Sequence, residues 1–97
     1  MKTLYLPIKK KWFDMILSGE KKEEYREIKS YWTKRLLESD GVFDTVELRN
    51  GYGKNVPSLR IELKGIVIDT GFVGWGAERG KNYYVLMLGE LLEGNGE

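Results

Sequence analysis

The strongest strand signal in the chain lies in LRIELKGIVID, which runs from Leu59 to Asp69. Aliphatic and charged residues alternate in its first half, as in a strand with one face in a core and the other in solvent. Gly65 interrupts this alternation, and the strand pattern then resumes with the apolar run Ile66-Val67-Ile68. A glycine inside a strand is typical of a bulge or bend. The stretch therefore predicts a long strand in a curved sheet.

Strand patterns also lie on both sides of this stretch. Thr3–Ile8 and Asp44–Asn50 are short alternating runs, whereas Asn82–Leu92 is apolar at consecutive positions. A strand that is apolar on both faces is usually covered on both faces, so Asn82–Leu92 is expected inside the sheet. The glycine-rich segment 71–80 is typical of a loop before this last strand.

Two short helices are expected early in the chain. The first is predicted at Lys9–Ser18, where Trp12, Met15 and Ile16 have the spacing of a buried helical stripe. Gly19 follows as a favourable helix end, because glycine adopts the left-handed conformation at little cost.

The second helix is predicted at Ser30–Leu37, before a turn at Asp40-Gly41. Helices alternate with strands only in the first half, so a doubly wound parallel sheet is not expected. The element order favours an α+β, mainly β, fold: a small curved β-barrel of five to six strands with two short helices. Residues 1–93 are expected to form a single domain, and residues 94–97 a flexible C-terminal end.

The composition excludes several kinds of chemistry. The 97 residues contain neither His nor Cys, which excludes His-based catalysis, Ser-His-Asp and Cys-His triads, zinc fingers and disulfides. Asp and Glu are scattered without the spacing of a calcium loop, so no metal and no cofactor are expected. Catalysis by Lys, carboxylate, Tyr or hydroxyl groups stays open.

Charge and hydropathy bear on location and partners. Thr3–Ile8 is too short for the apolar core of a signal peptide, and no apolar run approaches roughly 20 residues. We therefore expect a cytoplasmic protein with no membrane partner. Residues 1–35 hold ten Lys/Arg and five Asp/Glu, a net charge of +5, whereas residues 36–97 hold six and ten, a net charge of −4. A basic face for a polyanion and an ordinary uneven surface both fit this asymmetry.

The segment Lys21–Ile28 is unusually rich in charge. Its Glu, Lys and Arg residues favour a helix, but the break at Gly19 and the missing apolar stripe favour a strand. As a strand it places Glu24 and Arg26 on the same face as Ile28. The pair either faces inward as a salt bridge, because unpaired buried charge is costly, or lies on a solvated edge that resists aggregation. The sequence pattern is compatible with both.

Two large aromatic residues, Tyr52 and Trp75, lie in glycine-rich loops. Beside Arg49, Asn50 and Lys54, such rings could stack on a base while the cations hold phosphates. The same rings could instead close the ends of the barrel.

The chain from Leu6 to Arg26 resembles the ASCH family, the activating signal cointegrator homology domains of the PUA-like superfamily. The family opens with a strand that ends near a lysine, then a helix that ends in Gly-x-Lys, and then Glu-x-Arg. Gly19, Lys21, Glu24 and Arg26 stand at those positions here.

The resemblance continues further along the chain. Arg49-Asn50-Gly51-Tyr52 is similar to a segment of small bacterial and phage members, and Leu86-Met87-Leu88-Gly89 to the closing strand. Lys10 and Lys22 stand where the family often has proline and threonine. The resemblance implies a PUA-like barrel whose cleft is lined by the Gly-x-Lys and Glu-x-Arg residues. It also implies RNA or nucleotide binding, with hydrolytic activity in some members.

We therefore expect an RNA- or nucleotide-binding module with a charged cleft. The residues expected to contact the ligand are Lys9, Lys21, Glu24, Arg26, Arg49, Asn50, Tyr52 and Trp75. In the alternative, a small hydrolase acting on RNA or on a modified nucleoside such as an N4-acylcytidine, Lys21 and Glu24 are the catalytic residues. A third alternative is a protein–protein adaptor anchored by Tyr31, Trp32 and the loop aromatics Tyr52 and Trp75. The oligomeric state stays open.

Overall fold

Five strands and two helices make up the described part of the chain, which is residues 2–38 and 42–95 of a computed structural model. In chain order the elements are β1 (Thr3–Pro7), α1 (Lys10–Leu17), β2 (Glu23–Arg26), α2 (Ser30–Leu36), β3 (Thr45–Arg49), β4 (Ser58–Thr70), a 3-10 turn (Val73–Trp75) and β5 (Asn82–Asn95). The predicted α+β, mainly β, class with two short helices is confirmed. The turn predicted at Asp40-Gly41 lies outside the described residues.

The five strands form one sheet in the order β1-β3-β4-β5-β2. β1 pairs with β3 in parallel, and the other three pairings are antiparallel. The first two strands of the chain are therefore the two edges of the sheet. The sheet curls into a half barrel, as expected of a small curved sheet.

The pairing of β4 with β5 is irregular in the middle of the sheet. Its register shifts at three steps between Arg60 and Gly65, and Gly65 lies opposite Met87. A residue left out of the ladder bends its strand and increases the local twist. The irregularity predicted from Gly65 is confirmed, and it lies where a long strand has to bend for the sheet to curl.

The main hydrophobic core lies between one face of the sheet and the two helices. Leu6, Val46 and Leu86 come from three different strands and are at most 1% exposed. Phe13 and Ile16 of α1 are buried in the same cluster. Burying a side chain of this kind contributes about 1.5–3 kcal/mol, so this layer holds the sheet and α1 together.

The buried face of α1 differs from the predicted one. Phe13 and Ile16 are fully buried, whereas Trp12 and Met15 are only partly buried. Two neighbouring aromatic residues, Trp12 and Phe13, each have the helical spacing needed to pack near Ile16, and the pattern alone does not distinguish them. Trp12 is therefore left at the margin of the core, with part of its ring accessible.

A second, smaller cluster covers the opposite face of β5. It contains Ala77, Tyr83 and Val85, with Tyr25 and Met87 packed against it. Alternate residues of β5 thus enter different clusters, which explains why its sequence is apolar at consecutive positions. β5 lies between β4 and β2, so its predicted interior position is confirmed.

β5 is longer than its sequence pattern predicted. Gly94 pairs with Leu59 and Asn95 with Ser58, so the strand continues past the expected end at Leu92. It includes the first two residues of the segment 94–97 that was expected to be flexible. Residues 96 and 97 lie outside the described residues.

Candidate functional site

The charged segment after α1 enters the sheet as its edge strand β2. Gly19, with φ of 89°, ends α1, and the Lys21 amide donates to the Met15 carbonyl at 2.9 Å. β2 then pairs with β5, and Glu24 lies opposite Leu86 and Arg26 opposite Tyr84. Residues opposite each other in an antiparallel pair share a face, so both charged residues face the main core. The inward alternative of the sequence analysis is the one observed.

Glu24 is buried between two cations. Its Oε1 is 3.0 Å from Lys21 Nζ and its Oε2 is 2.8 Å from Arg26 Nη1. The side chain of Lys21 is 0% exposed and that of Glu24 is 6% exposed. A buried carboxylate is tolerated only when it is paired and hydrogen-bonded. Two cations contact one carboxylate, so these three side chains carry a net positive charge, which the nearby carboxylate of Glu23 partly offsets.

Lys21 also attaches the charged cluster to two backbone carbonyls. Its Nζ also donates to the carbonyls of Glu23 at 2.5 Å and Trp75 at 2.9 Å, and it lies over the rings of Tyr25 and Trp12. Three acceptors match the three N–H groups of an ammonium. Burial lowers the pKa of Lys21 below its ordinary value, and the attraction to Glu24 opposes that shift.

The donors of Lys21 are all used within the protein. All three of its N–H groups are directed to protein oxygens, so none is left for a phosphate in this arrangement. Lys21 therefore contacts Glu24 and the loop that carries Trp75, and in this geometry it holds both in place. The phosphate contact expected of Lys21 stays a prediction, and it requires one of these three bonds to be exchanged.

Arg26 connects the two edges of the sheet. Its Nη2 donates to the carbonyl of Pro7, at the end of β1, at 2.6 Å, and its guanidinium lies 5.2 Å from the centre of the Trp32 ring. Arg35 of α2 donates to the carbonyl of Tyr5, further back along β1. These contacts use carbonyls of an edge strand that have no strand partner on that side. The Arg26 side chain is 16% exposed, and its exposed part faces a cavity.

The cavity, with a volume of about 510 Å³, opens between the ends of β1 and β2. Pockets of roughly 300–1,000 Å³ are typical of small-molecule sites. Six of the eight expected contact residues line it: Lys9, Glu24, Arg26, Asn50, Tyr52 and Trp75. Lys21 lies beneath it, and Arg49 lines an adjoining recess.

Trp12 and Tyr25, which were not predicted as site residues, also line this cavity. Trp12 was expected in the core. It is only partly buried because Phe13 occupies the core position instead. Tyr25 lies on the strand that carries Glu24 and Arg26, so its proximity to the cavity follows from that strand.

The loop after β3 forms one wall of the cavity. The Asn50 side-chain Nδ2 donates to the carbonyl of Ile8 at 3.0 Å, and Arg49 Nη2 donates to the carbonyl of Gly53 at 2.7 Å. These bonds tie the loop to β1 and to itself. Tyr52 at the loop tip is 90% exposed, so its ring is free to contact a ligand at the cavity mouth.

The loop that carries Trp75 is held at several points. The Tyr25 hydroxyl donates to Glu23 Oε1 at 2.7 Å and accepts from the Phe72 amide at 2.9 Å. Burial raises the pKa of Tyr25, so the hydroxyl stays protonated and able to donate. Gly76 has φ of 108°, and a Cβ there would lie 3.0 Å from the ring of Trp12. The loop is therefore fixed against α1 with Trp75 in place.

An exposed ion-pair network joins β2 to the end of this loop. Glu27 accepts from Lys29 at 2.8 Å and from Lys81 at 3.0 Å, and these bonds lower the pKa of Glu27 to about 2. Because the folded pKa is below the ordinary value of about 4.3, this contribution to stability is present above pH 4.3. It is lost as the pH falls towards 2.

We expect a carbon-13 NMR titration of the Glu27 carboxyl group to give a midpoint near 2. The variant Lys81→Met should move the midpoint upward, because it removes one of the two hydrogen-bond donors. High salt should move it in the same direction, since exposed pairs are screened. A midpoint near 4 in the unmodified protein would contradict the observed network.

Neither a metal centre nor a membrane-spanning helix is found in the described part of the chain. Within residues 2–38 and 42–95, no three Asp or Glu side chains cluster as a metal site would require. No helix among these residues has the length and apolar character needed to cross a bilayer. Comparison of the chain with protein-family models, with curated proteins and with solved structures gives no match.

Proposed function

We propose that this protein binds RNA or a nucleotide in the cavity between the ends of β1 and β2. The observation that carries the proposal is the buried cluster of Lys21, Glu24 and Arg26, which has two cations for one carboxylate. A fixed excess of positive charge beside a cavity attracts an anion, and its effect is stronger where water is partly excluded.

The other lining residues suit the remaining parts of a nucleotide. Trp12, Tyr52 and Trp75 offer aromatic faces, and base stacking on such rings accepts any base. Lys9 is an exposed cation at the rim and could contact a phosphate. Asn50 uses its Nδ2 on the carbonyl of Ile8, which leaves its side-chain oxygen to accept from a base or a ribose hydroxyl.

The resemblance to the ASCH family supports the same proposal from the sequence. The matching residues Gly19, Lys21, Glu24 and Arg26 are the ones that form and position the charged cluster here. A curled sheet of five strands with two helices is compatible with the PUA-like barrel that the resemblance implies. We propose that fold relationship together with the function.

The geometry favours binding over the hydrolase alternative. A catalytic Lys21 would have to reach the substrate, yet its Nζ is shielded and donates to three protein oxygens. Glu24 lines the cavity, but each of its carboxylate oxygens already contacts a cation of the protein. Of the anchors expected for an adaptor, Tyr31 and Trp32 do not line the cavity, whereas the loop aromatics Tyr52 and Trp75 do.

The proposal predicts salt-dependent binding of a random-sequence hexaribonucleotide, measured by tryptophan fluorescence at several salt concentrations. Two or three phosphate contacts should give a slope of log affinity against log salt of about −1.4 to −2.1, since each contributes about −0.7 on a single strand. Quenching is expected because Trp12 and Trp75 line the cavity. Absence of binding at low salt, or an affinity indifferent to salt, would overturn the proposal.

A further inference from the structure

A second recess of about 210 Å³ adjoins the cavity. The two share Pro7, Gly51 and Tyr52 as a common wall, and the recess is completed mainly by Tyr5 and Arg49. Its volume lies below the roughly 300 Å³ of a site that encloses a whole small molecule. The recess therefore has room for one part of a ligand whose remainder occupies the adjoining cavity.

The sheet places these residues on its outer face. In the parallel pair of β1 and β3, Tyr5 lies beside Glu47 and Pro7 beside Arg49. Leu6, between Tyr5 and Pro7, points into the core, where it is 1% exposed. Since alternate residues of a strand face opposite sides, the recess lies outside the barrel at the end where the cavity opens.

Two aromatic rings line the recess without being part of either hydrophobic cluster. Tyr5 is 51% exposed and Tyr52 is 90% exposed. Tyr52 projects from a loop that Arg49 and Asn50 hold in place. Exposed rings beside a cationic site are the arrangement that single-stranded nucleic acids use for stacking, whereas core packing accounts for neither ring.

The charge of the recess suits a phosphodiester. Arg49 uses Nη2 on the carbonyl of Gly53, and an arginine has five N–H groups, so further donors remain. None of the described residues that line the recess is acidic. The neighbouring carboxylate of Glu47 is paired with Arg60 at 3.1 Å, which reduces its repulsion of an anion.

We propose that this recess binds the base of a neighbouring nucleotide, so that the preferred ligand is a single-stranded oligonucleotide. The first nucleotide occupies the cavity, Tyr52 separates the two bases, and Arg49 contacts the backbone between them. This inference rests on the proposed function, because it needs a nucleotide in the cavity, and it adds the class of ligand.

The test compares two probes on the same variants. A mixture of the four ribonucleoside 5′-monophosphates reports on the cavity alone, and a random-sequence hexaribonucleotide reports on both subsites. The unmodified protein should bind the hexamer at least about fivefold more tightly than the monophosphates. Tyr5→Ala should weaken hexamer binding by about 5- to 150-fold, the range for loss of one stacked base, and change monophosphate binding less than twofold.

Two further variants separate stacking from general damage. Tyr5→Phe keeps the ring and should retain the hexamer affinity. Ile68 is a strand residue that is 59% exposed and lines neither the cavity nor the recess. The variant Ile68→Ala should therefore also retain the hexamer affinity. If Tyr5→Ala leaves hexamer binding unchanged while salt-dependent binding persists, the second subsite is wrong and the proposed function stands. If neither probe binds the unmodified protein, both are wrong.

Discussion

Replacing Glu24 with alanine is expected to lower the free energy of unfolding by about 3–5 kcal/mol, the usual effect of removing one partner from a buried ion pair. Glu24 is the only carboxylate that contacts both Lys21 and Arg26 in the described residues. Without it, the completely buried ammonium of Lys21 keeps two carbonyl acceptors but loses its counter-charge. The cost combines that uncompensated charge with a lost hydrogen-bond acceptor and the empty volume of the side chain.

Urea denaturation monitored by tryptophan fluorescence measures this effect. A domain of this size has a stability of about 5–15 kcal/mol, so Glu24→Ala could leave little folded protein. In that case Glu24→Gln is the variant to measure, because it keeps the shape of the side chain and one acceptor oxygen. Its free energy of unfolding should fall by about 1–3 kcal/mol. Glu47→Ala is the matched control: its pair with Arg60 is more exposed, and its loss should cost at most about 1 kcal/mol. Equal effects at the two sites would contradict the role of burial.

Replacing Arg26 with glutamine is expected to weaken hexaribonucleotide binding by about 10- to 100-fold. Hydrogen bonds to charged groups contribute about 1.5–3 kcal/mol, and each 1.4 kcal/mol is a factor of ten in affinity. Glu24 keeps Lys21 as a partner in this variant. Urea denaturation of the variant separates the loss of the Arg26 contacts with Pro7 and Trp32 from the loss of ligand binding. The cluster also becomes neutral, which should make the salt slope shallower.

The matched control for this variant is Arg60→Gln. Arg60 also pairs with a glutamate, Glu47, but it lies on β4 and lines neither the cavity nor the recess. Binding by Arg60→Gln should stay within about twofold of the unmodified protein, since contacts outside a site carry little binding energy. If both variants lose affinity to the same extent, binding depends on net charge and not on the cavity.

The sequence predicted the strand β2 and its faces because two local signals agreed. Gly19 ends the helix, and the segment that follows lacks an apolar stripe, so the helix propensity of Glu, Lys and Arg is overruled. Period-two alternation then places Glu24 and Arg26 on one face. Whether that face is buried depends on pairing with β5, about sixty residues away in the chain, and the segment itself carries no information on that partner.

The sequence did not predict how deeply each charged side chain is buried. Lys21 and Arg26 both appear as charged residues near a glutamate, yet one is completely buried and the other reaches a cavity. The difference comes from the loop that carries Trp75, whose carbonyl accepts from Lys21 across 54 positions of sequence. Trp12 was not predicted as a site residue for a related reason, because its neighbour Phe13 competes for the same core position.

The central claim is that the charged cavity is where the ligand binds, and an NMR titration tests it most directly. Nitrogen-15-labelled protein would be titrated with the random-sequence hexaribonucleotide while backbone amide shifts are followed. We expect the largest changes at Lys9, Trp12, Asn50, Gly51 and Gly76, which surround the cavity, and little change along residues 66–70 of β4. Changes confined to residues 66–70, or no changes at the cavity when the hexamer is bound, would contradict the account.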